Sequence, residues 1–266
     1  AGMQPVVAIY STFLQRGFDQ VFQEVALQQL PVVFCMDRAG LVGGDGAVHH
    51  GFLDIAYLRG FPGMVLMAPF DEAELRAVLR FALTLPTAAG IRYPRDQVPE
   101  ESVTDCPPFE LGCARTMRTG RDATILAYGV TTAYALDAAE ILAAAGIDVG
   151  VVNARFAKPV DRRMIREALA DDRPVLTVED HSVQGGFGSA VLEAAQEMGL
   201  SCARVDRLGL PDRFIEHGSR AGQLAEAGID AAGIAASMQA LIERCGTGAD
   251  TLADRATGPL ITPSHT

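Results

Sequence analysis

Short apolar runs alternate with helical periodicity twice along this chain, on either side of a proline-bearing stretch at 96–122. Such alternation predicts parallel strands joined by crossover helices, because a tight turn cannot connect parallel neighbours. In the first half the expected strands are Pro5–Tyr10, Pro31–Met36, Met64–Ala68 and Ala89–Tyr93. Leu14, Phe18, Val21, Phe22 and Val25 recur at helical spacing, so a helix is expected between the first two strands, to about Leu30. A short helix through Leu53–Leu58 and another capped by Asp71 complete this half. The second half repeats the pattern with strands Ala123–Tyr128, Val149–Phe156, Val175–Glu179 and Cys202–Asp206. Its helices are expected up to Ala145 and over Asp161–Ala170, Gly188–Met198, Arg220–Ala227 and Ala231–Glu243.

The fold class is therefore α/β: two successive parallel or mostly parallel sheet domains with helices on both faces. Their expected limits are 1–95 and 123–245, joined by a linker at 96–122 containing Pro99, Pro107 and Pro108, and followed by a flexible tail at 246–266. The chain opens almost at once on a buried-type strand, as though the start of the first domain lay on another stretch of polypeptide.

Net charge is −11, from 33 acidic and 22 basic residues, which disfavours a nucleic-acid partner because phosphate backbones need a basic face. No apolar run approaches the roughly 20 residues of a membrane helix. Cys35, Cys106, Cys113, Cys202 and Cys245 are scattered, and no Cys-x-x-Cys occurs. Cys35 and Cys202 lie in apolar strand patterns and read as core thiols, so a reducing cytoplasmic location is expected.

The stretch Asp37-Arg-Ala-Gly-Leu-Val-Gly-Gly-Asp-Gly-Ala-Val-His-His-Gly51 directly follows a strand signal. Open α/β sheets bind ligands at the carboxyl ends of their strands, so this glycine-rich loop is the leading candidate site. It carries Arg38, Asp45, His49 and His50. Arg95 lies just beyond another strand, and two guanidinium forks meeting at one sheet edge suit a phosphate dianion. His49 can act near neutral pH as acid, base or donor, with Asp45 orienting it or binding a hydroxyl. Tyr10 ends the first strand and can donate a phenolic hydrogen bond; a half-buried core role fits it equally well. Phe13 reads either as an exposed stacking face or as a hydrophobic staple for the helix start. Arg16 faces a ligand or solvent. His181 with Gly185-Gly-Phe-Gly-Ser189 offers a glycine-rich helix start, but lacks the dinucleotide fingerprint, and a structural role is expected.

Several motifs occur together and in order: Ile9-Tyr-Ser-Thr-Phe-Leu-Gln-Arg16, Asp37-Arg-Ala-Gly40, Gly44-Asp-Gly46 with His49, and Arg92-Tyr-Pro-Arg95. Val178-Glu-Asp-His181, Gly185-Gly-Phe-Gly-Ser189 and Gly209-Leu-Pro-Asp-Arg-Phe214 follow in the second half. This set resembles the 1-deoxy-D-xylulose-5-phosphate synthase family, thiamin diphosphate enzymes related to transketolase. The resemblance implies a pyrimidine-binding domain over 1–95 and a transketolase-type C-terminal domain over about 120–245.

It further implies a transferase that condenses pyruvate with D-glyceraldehyde 3-phosphate, giving 1-deoxy-D-xylulose 5-phosphate and CO2 on the non-mevalonate isoprenoid pathway. Arg38 and Arg95 then hold the acceptor phosphate, and His49, Asp45 and Tyr10 serve the reacting centre. Phe13 and Arg16 contact the cofactor. His50 departs from the family pattern, where an amide or other polar residue is usual. The resemblance also implies a homodimer whose cofactor site is completed by an N-terminal portion of the same enzyme, which supplies the Mg2+ ligands. Gly44-Asp-Gly46 is not that metal motif, since no asparagine follows at suitable distance; the chain's one asparagine is Asn153. The rival readings are a β-type subunit of a 2-oxo acid dehydrogenase, a split transketolase, or a non-catalytic assembly subunit.

Overall fold

The computed structural model describes residues 2–97 and 106–246. Pro99 and the tail expected beyond Gly246 lie outside the described residues. Among the described residues the strands form two five-stranded sheets. The first is built from β1 (Val6–Tyr10), β2 (Val33–Asp37), β3 (Val65–Met67) and β4 (Ala89–Arg92), in the order β1-β2-β4-β3, all parallel. The second contains β5 (Arg115–Arg118), β6 (Ala123–Tyr128), β7 (Val149–Asn153), β9 (Val175–Ser182) and β10 (Val205–Leu210), in the order β10-β9-β6-β7-β5. Strand β5 is antiparallel to β7, and its neighbours are otherwise parallel. It lies inside the expected linker, so that stretch is partly an edge strand.

β8 (Phe156–Lys158) leaves the second half and pairs antiparallel with β3 at the far edge of the first sheet. A single strand through Phe156 was expected from its apolar run; the break falls at Arg155, in the left-handed region at φ 57°. The cause is tertiary. The Arg155 Nε donates to Glu74 Oε1 at 2.8 Å, the Asn153 amide donates to Glu74 Oε2 at 2.8 Å, and Glu74 is fully buried. Turning the chain there is what brings the guanidinium onto that carboxylate.

The helical layer follows the sequence with local exceptions. The long first helix is interrupted: α1 (Ser11–Leu14) gives way to a 3-10 turn at Gln15–Gly17, α2 (Phe18–Gln20) and a π-helical stretch at Val21–Ala26. Gly17, at φ −91° and ψ 10°, falls out of the α region and ends the first segment. Helix α3 spans Asp54–Leu58, and α4 spans Glu72–Ala82. Asp71 caps α4 by accepting from the Glu74 N–H at 2.7 Å. Helices α5 (Thr131–Ala144), α6 (Arg162–Leu169), α7 (Phe187–Glu197), α8 (Arg220–Ala227) and α9 (Ala231–Gly246) cover the second sheet. Strand β10 starts later than expected, at Val205, and Cys202 is half-buried in the turn before it.

One core joins the two sheets. Phe34, Leu66 and Ala68 of the first half pack in the same cluster as Leu126, Tyr128, Ile165 and Phe187 of the second. Tyr128 and Phe187 stack with centroids 5.2 Å apart. Both are fully buried, and aromatic burial of this kind contributes roughly 2–3 kcal/mol per ring. The carboxyl edge of the first sheet is thereby held against the second half.

Candidate active site

Three parallel strands deliver the site. β1 ends at Tyr10, β2 at Asp37 and β4 at Arg92, so Tyr10, Arg38 and Arg95 leave the sheet on the same edge. Arg38 adopts φ 58°, a conformation that L side chains avoid at about 1–2 kcal/mol. Asp37 Oδ1 accepts the Arg38 N–H at 2.7 Å and helps hold that turn. The result is a guanidinium laid over the Tyr10 ring, 4.1 Å from its centroid. Tyr10 stacks on Phe13 at 4.9 Å, and Phe13 meets the His49 ring edge-on at 5.8 Å.

Asp45 sits between the two arginines. It accepts a hydrogen bond from Arg38, and Arg95 Nη1 lies 3.7 Å from its other oxygen. The Asp45 backbone carbonyl lies 3.3 Å from His49 Nδ1. A carbonyl only accepts, so Nδ1 carries the proton and Nε2 is the basic nitrogen of the neutral ring. Tyr10, Phe13, Arg38, Asp45, His49 and Arg95 thus form one connected cluster. Arg16 is not part of it; this residue is exposed on the 3-10 turn. Phe13 is 48% exposed, more than a staple packed against the helix would be.

The loop that carries these groups is closed at its base. Gly40 and Gly51 exchange two backbone hydrogen bonds, at 2.7 and 2.8 Å, and the Ala39 N–H donates to Tyr93 O at 3.0 Å. A Cβ at Gly51 would stand 2.5 Å from the Arg38 carbonyl, so only glycine fits this crossing. His50 is structural: its Nδ1 accepts from the Val42 N–H at 3.2 Å, leaving Nε2 to donate to Ile215 O at 3.1 Å. Burial lowers its pKa and keeps the ring neutral.

Beneath the loop lies a buried charged layer that motif reading did not single out residue by residue. The Arg92 Nε donates to both Asp54 oxygens, at 3.0 and 3.3 Å, and its Nη2 donates to Gly51 O and Asp180 O at 3.3 and 2.9 Å. His181 Nε2 stands 3.6 Å from Asp54 Oδ1, and its Nδ1 stands 3.8 Å from Glu179 Oε2. Glu179 accepts from the N–H groups of Phe187 and Gly188 at the start of α7, at 2.6 and 2.8 Å. The glycine-rich helix start is therefore filled by the protein's own carboxylate. The available signal was a charged run, Glu179-Asp180-His181, closing an otherwise apolar strand.

Glu179 and His181 give a pH dependence of opposite sign. Burial pushes the Glu179 carboxyl up from 4.5 to about 7, against the opposing pull of the Gly188 and Phe187 N–H groups. Burial, aided by Arg92, pushes His181 down from 6.5 to about 4, with Asp54 opposing. The folded chain holds the Glu179 proton where the unfolded chain has released it, so that contribution to stability is lost as pH rises from about 4.5 to 7. His181 stays neutral where the unfolded chain protonates, so its contribution is lost as pH falls from about 6.5 to 4. The two slopes offset each other in the wild-type chain. In Glu179→Gln only the histidine slope remains. Urea unfolding between pH 4.5 and 6.5 should then show stability rising by about 1 kcal/mol per pH unit relative to wild type. Parallel curves for the two proteins would contradict the assignment.

Comparison with known proteins finds two domain models in succession. The transketolase pyrimidine-binding domain model matches residues 1–101, and the transketolase C-terminal domain model matches 112–234. The chain is 48% identical over 255 residues to 1-deoxy-D-xylulose-5-phosphate synthase 1 of Geobacter sulfurreducens, covering 94% of this chain and 40% of the relative. It is 53% identical over 242 residues to the synthase of Thermus thermophilus, covering 90% and 38%. The chain belongs to the transketolase family, and the curated relatives it matches are named 1-deoxy-D-xylulose-5-phosphate synthase. It spans about two fifths of the length of the synthases it matches. A split-gene transketolase described as an inactive β4 tetramer is 33% identical, with a TM-score of 0.80 over 90% of this chain and 76% of that one. A transketolase of Pichia stipitis, 20% identical with a TM-score of 0.73, shares the fold. Among the described residues no group of three or more His, Cys, Asp or Glu could hold a metal, and no helix is long and apolar enough to cross a membrane.

Proposed function

We propose that this transketolase-family chain supplies the pyrimidine-binding and C-terminal parts of a thiamin diphosphate-dependent transferase. The reaction condenses pyruvate with D-glyceraldehyde 3-phosphate to 1-deoxy-D-xylulose 5-phosphate and CO2. The observation that carries the reading is the pair Arg38 and Arg95 converging on Asp45 beside His49, within a chain about half identical to named synthases. The identity to synthases exceeds the 33% to a split-gene transketolase, which favours the synthase over that rival. Residues 1–95 form the pyrimidine-binding unit, 96–122 the connection and 123–245 the C-terminal unit.

The half-exposed Phe13 ring, backed by Tyr10, fits an aminopyrimidine, so thiamin diphosphate would be held there at its pyrimidine end. When bound, the cofactor supplies the electron sink that decarboxylation needs. Ligands for its Mg2+ would come from a diphosphate-binding portion of the enzyme. That portion, or a second copy in a homodimer, covers the exposed Phe18, Phe22 and Val48. In the acceptor complex the phosphate takes the place of the Asp45 carboxylate between the arginines, and Asp45 is freed toward an acceptor hydroxyl. His49 Nε2 accepts or returns a proton at the reacting oxygen, with Nδ1 pinned by the Asp45 carbonyl. The enzyme works in the cytoplasm.

His49→Asn tests the chemistry. In the complete enzyme the substitution should lower kcat by about 100-fold, the usual range for a lost proton-transfer group, with the unfolding midpoint unchanged. An unaltered kcat with a shifted midpoint would make His49 a structural residue.

A further inference from the structure

The loop bearing Arg38, Asp45 and His49 is anchored from the second half of the chain. Beyond its Gly40–Gly51 closure, the backbone of Leu41 and Gly43 is satisfied from there. The Leu41 N–H donates to Asp180 Oδ1 at 3.0 Å, and the Leu41 carbonyl accepts from Arg220 Nε at 3.0 Å. The Gly43 N–H donates to Gln223 Oε1 at 2.9 Å, and its carbonyl accepts from Gln223 Nε2 at 3.0 Å. Arg220 and Gln223 stand three residues apart, on one face of α8, whose start is capped by the Ser219 side chain. The Leu41 side chain is fully buried among Leu210, Ile215, Leu224 and Ile229.

Arg220 does more than hold the loop. Its Nη2 donates to Asp180 Oδ2 at 2.6 Å, and its Nη1 donates to Asp96 Oδ2 at 3.0 Å and the Tyr134 hydroxyl at 3.3 Å. Asp96 is the neighbour of Arg95. One guanidinium therefore grips both segments that carry the converging arginines: the loop through Leu41, and the strand exit through Asp96. Its side chain is 9% exposed and Asp180 is buried, so the Asp180 arm is shielded from solvent screening, while Asp96 is half-exposed and its arm is partly screened. A planar fork with five donors can serve acceptors on several segments at once; a lysine ammonium cannot match that geometry.

We propose that Arg220 is a positioning residue for recognition of the acceptor phosphate: it sets the separation of Arg38 and Arg95 by tying the glycine-rich loop to the segment after β4. The proposal rests on the phosphate-binding role of Arg38 and Arg95 stated above.

The test uses the complete enzyme and two acceptors, D-glyceraldehyde 3-phosphate and D-glyceraldehyde. The readout is the ratio of their kcat/KM values. A variant with less folded enzyme lowers both values alike, so the ratio is blind to a merely structural defect. Arg220→Gln should reduce this preference for the phosphorylated acceptor by about tenfold, as expected for a misplaced but intact binding pair. Arg220→Lys should leave most of that loss in place. Arg38→Ala and Arg95→Ala, measured alongside, should reduce it at least as far. A ratio unchanged in Arg220→Gln but lowered in the other two overturns the proposal and leaves the phosphate assignment standing. A ratio unchanged in all of them removes the phosphate assignment, and this inference with it.

Discussion

Replacing Asp54 with alanine is expected to lower the unfolding free energy by about 3–5 kcal/mol, the range found when one partner of a buried ion pair is removed. Asp54 is fully buried at the start of α3, and Arg92 on β4 is 5% exposed. With the carboxylate gone, the buried Arg92 charge loses its ion-pair partner and keeps hydrogen bonds to the Gly51 and Asp180 carbonyls. An arginine is not neutralised at any accessible pH, so the desolvation penalty cannot be relieved by losing a proton. Contrast Arg121 and Asp148, a surface pair at 2.8 Å with the arginine 87% exposed. Breaking that pair should leave the unfolding midpoint essentially unchanged, because solvent already screens it. Urea denaturation of the two alanine variants separates these cases. A loss below about 1 kcal/mol in Asp54→Ala would mean that the Arg92–Asp54 pair is not buried as described.

Arg38→Ala is expected to raise the KM for D-glyceraldehyde 3-phosphate by about 100-fold in the complete enzyme, with the KM for pyruvate changed little. The magnitude follows from losing one charge-assisted fork to a phosphate, worth roughly 1.5–3 kcal/mol. Arg38 is the better placed of the two arginines. Its side chain is 19% exposed and laid on Tyr10, whereas that of Arg95 is 61% exposed. Solvent screening weakens the second, so Arg95→Ala should have the smaller effect. Steady-state kinetics with each substrate varied in turn checks the split. Equal increases in both KM values would show a general distortion of the site.

The parts of this fold that were legible in the sequence are those fixed locally. Strand Ala123–Tyr128 is buried at every position, as a central parallel strand must be, and its apolar run marks both ends. Helix Arg220–Ala227 lies between a capping Ser219 and a left-handed Gly228, both readable as helix punctuation. Strand Phe156–Lys158 was not separable, because its break at Arg155 is imposed by Glu74, 81 residues away. The same holds at the candidate site. A glycine-rich loop after a strand exposed Arg38, Asp45 and His49 to inspection, and Arg95 followed another strand. Arg220 reads as an ordinary helix arginine until its acceptor, 179 residues earlier, is known. Motif resemblance located Arg92 and Asp180 without saying that they build a floor under the loop.

The most direct test of the account is product analysis on the complete enzyme with thiamin diphosphate and Mg2+, supplied with pyruvate and D-glyceraldehyde 3-phosphate. CO2 and 1-deoxy-D-xylulose 5-phosphate are expected to form in equal amounts, and neither is expected when the acceptor is replaced by lipoamide. Turnover of xylulose 5-phosphate as a ketose donor, or acyl transfer to lipoamide, with no 1-deoxy-D-xylulose 5-phosphate formed, would contradict it.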